Sequence, residues 1–279
     1  FIAQHLPYQK IEKRISLDAS KIEDMFNVNK PDVLINCVGK TGIPNIDYCE
    51  SHKEETAAIN TALPILLADA CSKHSVHMIH IGSGCIFYDK SPHYKIHSIE
   101  YDSHIQNIKI DSGWRETDFA KPESYYSKTK YSCDLAIGSM NHVTILRIRM
   151  PISDRNLSRN IINKLINYNK IIDIPNSMTF IDDLVRCVDW VINKNHTGIF
   201  HVTNPEPITA VQIMKEYQRY VPTHQFDIIN EAKLGELTIA KRSNCILSSE
   251  KLKNAGFQMT PSMEALENCM VKYIKNLES

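Results

Sequence analysis

Long apolar runs are missing from this chain of 279 residues. No stretch approaches the roughly 20 apolar residues that a membrane-spanning helix needs. The first residues, Phe-Ile-Ala-Gln-His-Leu, also lack the charged and then apolar order of a secretion signal. We therefore expect no membrane partner and a cytoplasmic location.

An excess of either charge is lacking too, because 32 Lys and Arg residues balance 32 Asp and Glu residues. Without a basic field, the chain has nothing that attracts a polyanion over a distance. We therefore expect no nucleic-acid partner. The 43% of hydrophobic residues is typical of a globular protein with one large domain or two interlocked ones.

Paired cysteines are absent as well, since the eight cysteines are scattered singly and none forms a C-x-x-C motif. This pattern favours free thiols in a reducing compartment over disulfides or zinc. A polar insertion at 88–113 carries His93, His97 and His104. No nearby cysteine or carboxylate completes a ligand set there, so we expect an exposed loop and no metal site.

Short apolar runs alternate with helical patterns along the first half of the chain. The strand patterns lie at 33–38, 76–81 and 143–149, and the helical patterns at 21–29, 56–72 and from 126 onward. This alternation predicts an α/β fold with a doubly wound parallel sheet, of the Rossmann-like kind. Beyond Pro151 the helices and strands are shorter and less regular, which indicates a smaller α/β cap.

A Tyr126-x-x-x-Lys130 pair opens the third of these helices. Residues four apart lie on one helix face, so the ammonium can approach the phenol and lower its pKa from the usual value of about 10. The pair would then be a usable acid. The alternative is two ordinary surface residues of an amphipathic helix, and the surrounding sequence has to decide.

Two glycine-containing turns follow neighbouring strands, at 39–42 and at 82–85. Ligands of open α/β sheets bind at the carboxyl ends of the strands, so both turns and the Tyr126 helix should meet in one crevice. The first turn is not a phosphate-binding Walker loop, because Leu34 stands where that loop needs glycine. The second turn places Ser83 and Cys85 at the end of a strand.

Ser83, Tyr126 and Lys130 resemble the Ser/Thr-Tyr-Lys set of the extended short-chain dehydrogenase/reductase family. Further segments resemble one subgroup, the UDP-4-keto-6-deoxyglucose 3,5-epimerase/4-reductase of UDP-rhamnose synthesis. These segments are 41–52, 84–87, 126–130, 146–153, 174–179 and, more weakly, 240–244. The likeness extends along nearly the whole chain.

The resemblance implies a bifunctional enzyme that converts UDP-4-keto-6-deoxy-D-glucose to UDP-L-rhamnose. Cys85 and Lys164 match the base and the acid that invert C3 and C5, while Ser83 and Tyr126 hold the enolate oxygen. Tyr126 then protonates the reduced C4 oxygen, and Lys130 steadies the ribose of NADPH, with NADH possible. Taken alone, Cys85 reads as a small buried residue and Lys164 as a solvated one.

The same resemblance implies two domains and a set of binding residues. We expect a dinucleotide-binding Rossmann-like domain at 1–152, with a return segment at about 179–204, and a substrate-binding cap at 153–178 and 205–279. A homodimer is also expected. The expected cofactor contacts beyond Tyr126 and Lys130 are Asp18, Gly39, Met150 and Pro151, and the expected substrate contacts are Asn45, Ser83, Gly84, Cys85, Asn160 and Arg242. Asn60 is expected to have a structural role.

The chain departs from the family at its start, where the first strand and its Gly-rich turn are missing before Phe1. We expect that this sequence begins roughly ten to twenty residues after the start of the fold. Near the missing turn, Lys10, Lys13 and Arg14 favour the 2′-phosphate of NADPH over NADH.

Three rival functions use the same fold. A 4,6-dehydratase carries an Asp-Glu pair after the catalytic Ser or Thr, where this chain has Gly84 and Cys85. A plain 4-reductase of the dTDP-rhamnose type does not need Cys85. A non-catalytic nucleotide-binding regulatory subunit would suit the missing turn but not the intact set of Ser83, Tyr126 and Lys130.

Overall fold

The computed structural model describes residues 1–11, 15, 17–93, 96–102, 105–110 and 113–278, with the backbone alone at 96–102, 105–110 and 278. His104, Lys13 and Arg14 lie outside the described residues. The side chain of His97 is also outside them. Within the described part, no helix combines the length and the apolar character needed to cross a membrane.

The described strands are β1 Val33–Asn36, β2 His77–Ser83, β3 Ile96–Asp102, β4 Ile105–Ile110, β5 Val143–Ile148, β6 Pro151–Ile152, β7 Lys170–Ile172, β8 Thr179–Phe180, β9 Gly198–His201 and β10 Asp227–Ile229. The described α-helices are α1 Ala19–Asn29, α2 Asp47–Ser51, α3 Lys53–Ala57, α4 Leu63–Lys73, α5 Tyr125–Ile137, α6 Ile161–Ile166, α7 Ile181–Lys194, α8 Ala210–Gln218, α9 Glu231–Glu236, α10 Glu250–Asn254 and α11 Ser262–Glu278. Short 3₁₀ turns occupy Ile2–Gln4 and Gly84–Ile86, and a π turn occupies Ala58–Ala62.

The central sheet has the order β1-β2-β5-β9, and each neighbouring pair is parallel. Every residue of β5 is buried, as expected of a strand covered by helices on both faces. Met78 and Ile145 pack in a core with α1, α4 and α5. Their neighbours Ile79 and Leu146 pack on the opposite face with α7. The predicted doubly wound, Rossmann-like α/β fold is therefore confirmed.

A second core lies beyond β5 and joins α6, α8 and α11 to the parallel pair β7 and β10. Its buried side chains include Ile171, Met214 and Tyr273. The short pair β6 and β8 connects this core to the end of the central sheet. The location fits the predicted α/β cap, and its boundaries at 153–178 and 205–279 stay a prediction.

The insertion at 88–113 differs from the expected exposed loop, because β3 and β4 form an antiparallel hairpin within it. Isoleucines at 96, 99, 105, 108 and 110 have the high strand propensity of β-branched residues. That signal was outweighed by the polar residues between them. The loop prediction was therefore wrong for 96–102 and 105–110.

Asn60 lies in the π turn that interrupts the helix predicted at 56–72. Its side chain accepts a hydrogen bond from Lys40 N at 2.7 Å and donates to Lys40 O at 2.9 Å. It also donates to Thr129 Oγ1 on α5 at 3.2 Å. Asn60 therefore ties the turn after β1 to the helix that carries Tyr126, which is the structural role expected of it.

A buried ion pair fixes α5 on the sheet. Arg147 Nε of β5 donates to Asp134 Oδ2 of α5 at 2.8 Å, and the two side chains are 3% and 1% exposed. Since Tyr126 and Lys130 lie on the same helix, this pair also sets their distance from the strand ends.

We expect Asp134→Ala to lower the free energy of unfolding by about 3–5 kcal/mol, because Arg147 would be left buried without its partner. Urea denaturation at fixed pH measures the loss. The matched control is Asp69→Ala, which breaks an exposed pair with Lys73 and should cost at most about 1 kcal/mol. Equal losses in the two variants would contradict the role given to the buried pair.

Candidate active site

Ser83 ends β2 at the carboxyl edge of the sheet and is 5% exposed. Its Oγ accepts a hydrogen bond from Cys85 N at 3.2 Å, which starts the 3₁₀ turn Gly84–Ile86. Ser127 Oγ of α5 donates to Cys85 O at 2.6 Å. The backbone of Cys85 is thus fixed at both ends, while its thiol stays half-buried.

Gly84 allows a neighbouring segment to approach this turn closely. A Cβ atom at Gly84 would lie 2.3 Å from Leu247 Cδ1, and Leu247 is itself buried. Packing therefore accounts for the glycine at this position. Its expected contact with the substrate stays a prediction.

Tyr126 lies in the first turn of α5, and Ser124 caps that helix by accepting from Ser127 N at 3.2 Å. The side chain of Ser83 lies close enough to the phenol to affect its pKa. Burial raises the pKa of Tyr126 above its ordinary value, the nearby Cys85 raises it further, and the Ser83 side chain opposes them. The phenol therefore keeps its proton at neutral pH.

Lys130 is 3% exposed, and its Nζ lies 3.1 Å from His80 Nε2 and donates to Ile81 O at 3.2 Å. The amine is thus held under the end of β2, and burial lowers its pKa. This differs from the expectation that Lys130 lowers the pKa of Tyr126, because burial and Cys85 dominate at the phenol. That part of the prediction was wrong.

His80 and Asn36 support Lys130 from inside the sheet, and neither was singled out from the sequence. Asn36 Nδ2 lies 3.0 Å from His80 Nδ1, and both side chains are buried. Burial and then the charge of Lys130 hold the pKa of His80 well below its ordinary value. The neutral imidazole therefore lies between the Lys130 amine and Asn36 of β1. The only sequence signal was a polar residue inside each of two apolar strands.

The donors at this edge fit the ribose of a nicotinamide dinucleotide. A lysine ammonium has three N–H donors, and the two described contacts of Lys130 leave one for a ligand. Gly39 is exposed just beyond β1, and Met150 follows β5 with a φ of 39°, which is unusual for a residue other than glycine. Pro151 begins β6 directly after it. The cofactor contacts of Gly39, Met150 and Pro151 stay predictions.

Asp18 is exposed and caps α1 by accepting from Ser20 N at 3.0 Å. The Ser20 hydrogen bonds hold the pKa of Asp18 below its ordinary value, so the side chain is an anion at neutral pH. Its expected contact with the adenine stays a prediction.

Lys164 lies in the last turn of α6 and is half-buried. Burial lowers its pKa, the charges of Arg159 and Arg242 lower it further, and Cys85 opposes them. The charges of Arg242 and Cys85 therefore act on Lys164. The pairing of Cys85 with Lys164 in one site stays a prediction. A lysine with a lowered pKa releases its proton more readily near neutral pH.

Arg242 forms a two-pronged ion pair with Asp47, with Nη1–Oδ1 at 2.8 Å and Nη2–Oδ2 at 3.1 Å. Asn45 Oδ1 accepts from Asp47 N at 2.8 Å and so stabilises the start of α2. Both residues were expected to contact the substrate, and these contacts stay predictions. In the structure both side chains bind Asp47, the first residue of α2.

Asn160 has a side chain with no exposed surface. Its Nδ2 donates to Ser153 O at 2.6 Å and to Arg155 O at 2.9 Å, while Oδ1 accepts from Ser153 N and Ile162 N. This geometry leaves no amide hydrogen free for a diphosphate. The expected substrate contact stays a prediction, and the observed role is to fix the loop before α6.

Arg149 is a site residue that the sequence analysis did not identify. It follows β5, is 1% exposed, and donates from Nη1 to Cys85 Sγ at 2.8 Å. The segment 146–153 resembled the family, but nothing in it indicated contact with a cysteine 64 positions away. Among the described residues, no group of three or more His, Cys, Asp or Glu side chains is arranged to hold a metal ion.

These elements define a Rossmann-like α/β protein with a Ser-Tyr-Lys set at the carboxyl edge of its sheet. A family model described as the RmlD substrate binding domain matches residues 7–275, and the chain belongs to this family. The family-level resemblance drawn from the sequence is confirmed.

Three relatives give this family its context. A trifunctional UDP-glucose 4,6-dehydratase/UDP-4-keto-6-deoxy-D-glucose 3,5-epimerase/UDP-4-keto-L-rhamnose-reductase of Arabidopsis thaliana, RHM3, is 35% identical over 277 residues, which are 97% of this chain and 39% of that protein. A bifunctional dTDP-4-dehydrorhamnose 3,5-epimerase/dTDP-4-dehydrorhamnose reductase of the same plant is 34% identical over 98% of this chain and 85% of its own length. The crystal structure of the L780 UDP-rhamnose synthase of Acanthamoeba polyphaga mimivirus superimposes with a TM-score of 0.81 at 27% identity, over 94% of this chain and 89% of that one. The chain thus spans well under half the length of the trifunctional relative.

We expect Arg159→Gln to raise the pKa of Lys164, because the substitution removes a positive charge that disfavours the ammonium. Titration of carbon-13 dimethylated lysines by NMR measures the effect, and Lys164→Arg assigns the resonance. In the unsubstituted protein Lys164 should titrate below an ordinary lysine. A Lys164 resonance that titrates like that of an exposed lysine, and does not respond to Arg159→Gln, would contradict this electrostatic account.

Proposed function

We propose that this chain epimerises UDP-4-keto-6-deoxy-D-glucose at C3 and C5 and then reduces its C4 ketone with NADPH, giving UDP-L-rhamnose. The observation that carries the proposal is that Ser83 and Cys85, at the end of β2, are bonded to each other and to the first turn of α5, which carries Tyr126, and that the charge of Cys85 acts on both Tyr126 and Lys164. A plain reductase needs neither Cys85 nor Lys164. The printed activities of the relatives support the same substrate class.

The epimerase half uses the acidity of C–H bonds next to a ketone. Cys85 removes a proton from the carbon, and the electron pair moves onto the C4 oxygen as an enolate. Ser83 and Tyr126 stabilise that oxygen with hydrogen bonds aimed at the developing charge. Lys164 then returns a proton from the opposite face, which its lowered pKa favours.

In the reductase half, bound NADPH supplies a hydride to C4. Tyr126 donates its proton to the C4 oxygen as the alkoxide forms, because the alkoxide is a stronger base than the phenolate. The raised pKa keeps the phenol protonated until that step, and the phenolate then takes a proton from solvent. The remaining donor of Lys130 would hold the ribose, while His80 and Ile81 O fix the amine in place. A homodimer and a cytoplasmic location belong to the same proposal.

We expect the purified protein, given NADPH and UDP-4-keto-6-deoxy-D-glucose, to form UDP-L-rhamnose. The configuration of the sugar is read from proton coupling constants in the NMR spectrum of the product. A 6-deoxyhexose with the D configuration would show that reduction occurs without epimerisation and would contradict the epimerase half.

For Tyr126→Phe we expect reduction to fall about 10²- to 10⁴-fold, the usual contribution of a general acid, because the phenol no longer donates to the C4 oxygen. Exchange of C3 and C5 hydrogens with solvent should continue at a reduced rate, since Ser83 still binds the enolate. NADPH oxidation and deuterium incorporation measure the two steps separately. Hydride transfer near the wild-type rate would remove Tyr126 from the acid role.

For Cys85→Ala we expect the opposite pattern, with solvent exchange at C3 and C5 lost and some reduction retained. The substitution removes the base and leaves the Ser83–Tyr126 pair in place. Cys37→Ala is the matched control, because Cys37 is also half-buried but follows β1, whereas Cys85 follows β2. Unchanged exchange in Cys85→Ala would exclude this thiol from the mechanism.

A further inference from the structure

The guanidinium of Arg149 is buried among neutral oxygen atoms. Nη2 donates to Asn176 Oδ1 at 2.5 Å and to the carbonyl of Ser243, and Nε donates to Cys245 O at 3.5 Å. None of these three partners carries a negative charge. A cation that is 1% exposed loses its hydration, and neutral partners replace only part of it.

The fourth described contact of the guanidinium is the Cys85 sulfur, 2.8 Å from Nη1. A thiol is a weak hydrogen-bond acceptor, whereas a thiolate is a strong one and carries the charge that the cation lacks. Cysteines beside Arg or Lys are the ones that ionise readily in proteins. Among the four described contacts of the guanidinium, the Cys85 sulfur is therefore the one that can carry a balancing negative charge.

Cys245 lies close to the same guanidinium but is a poorer candidate for the anion. Its sulfur contacts the carbonyl of Gly84 at 3.6 Å, as expected of a protonated thiol that donates. Burial raises the pKa of Cys245. Cys85 is half-buried and is therefore the thiol that faces both the cation and the crevice.

The contacts of Arg149 also join three of the family-like segments. Arg149 itself comes from 146–153, Asn176 from 174–179 and Ser243 from 240–244. Asn176 is fixed in turn, because its Oδ1 accepts from Cys245 N at 3.0 Å. Three segments that are distant in the sequence thus hold the Arg149 guanidinium in contact with the Cys85 sulfur.

We propose that Arg149 holds Cys85 as a thiolate, so that the base of the epimerisation is a buried arginine–thiolate pair. This inference rests on the proposed function. In the step, the thiolate takes a proton from the sugar carbon and becomes a thiol, while the electron pair of the C–H bond enters the enolate. Lys164 gives its proton to the other face, and solvent exchange restores both groups. Arg149 is a positioning residue, since it acts through Cys85.

Four titratable groups act on or contact Cys85. They are Arg149 after β5, Tyr126 on α5, Lys164 on α6 and Cys245. Tyr126 is neutral near pH 7 because its pKa is raised, and the Cys245 thiol is protonated for the same reason. Lys164 adds a second positive charge at a greater distance. Removing the charge of Arg149 should therefore have the largest effect on the thiolate.

The test is the pH dependence of Cys85 alkylation by iodoacetamide, followed by mass spectrometry of the Cys85 peptide, without substrate or cofactor. The rate near pH 7 divided by the rate near pH 10 reports ionisation and cancels differences in access. For Arg149→Met we expect this ratio to fall on the order of tenfold or more. Arg149→Lys keeps the charge and should recover much of the ratio, which a merely structural role would not require.

A second variant covers the case in which Arg149→Met does not fold. Asn176→Asp places a carboxylate against Nη2, so the guanidinium gains another anion while its packing stays nearly the same. We expect the alkylation ratio to fall there as well. Asn244→Asp is the matched control, because Asn244 contacts Asn176 at 3.2 Å rather than the guanidinium, and its effect should be smaller.

Ratios that stay at the wild-type value in the folded Arg149 and Asn176 variants would overturn the proposal. This result is separate from the fate of the proposed function, since alkylation needs no turnover. A ratio that depends on Arg149 in a protein that forms no epimerised product would support the pair and contradict the epimerase.

Discussion

The site depends on two cations, Lys130 and Arg149, which are buried at the carboxyl edge of the parallel sheet. A buried charge is costly unless specific groups replace its hydration. His80 and Ile81 O do this for Lys130, and Asn176, two backbone carbonyls and Cys85 do it for Arg149. The contacts around the site therefore fix the positions of the Lys130 amine and the Arg149 guanidinium.

Ser83 and Tyr126 lie at the same edge of the sheet, and their two hydroxyls are donors suited to an oxygen with developing negative charge. Both proposed half-reactions generate charge on the same C4 oxygen, first as an enolate and then as an alkoxide. One set of donors can therefore serve both steps. In the proposed mechanism, Cys85 and Lys164 act in the epimerisation, whereas Lys130 would hold the NADPH that reduces C4.

The sequence predicted the sheet because β1, β2 and β5 are apolar runs, each followed by a helix or turn with clear signals. The sequence also predicted that Ser83, Cys85 and Tyr126 lie at one edge of the sheet, because Ser83 and Cys85 come at the end of a strand and Tyr126 opens a helix that should pack beside it. The contacts of Arg149 were not predictable, because they link segments whose separation in the chain no periodicity encodes. Strands β3 and β4 were not predicted, because the polar residues between their isoleucines weakened the strand pattern. For Asn160 the family resemblance implied a substrate contact, whereas in the structure both of its amide hydrogens bind backbone carbonyls.

The central claim is that one crevice exchanges hydrogens at C3 and C5 with solvent and receives a hydride at C4. Isotope labelling tests it directly. In D₂O with unlabelled NADPH, the account predicts UDP-L-rhamnose with deuterium at C3 and C5 and protium at C4. In H₂O with NADPH deuterated at the transferred position, it predicts deuterium at C4 alone. A product without solvent deuterium at C3 and C5, or with a C4 hydrogen derived from solvent, would contradict it.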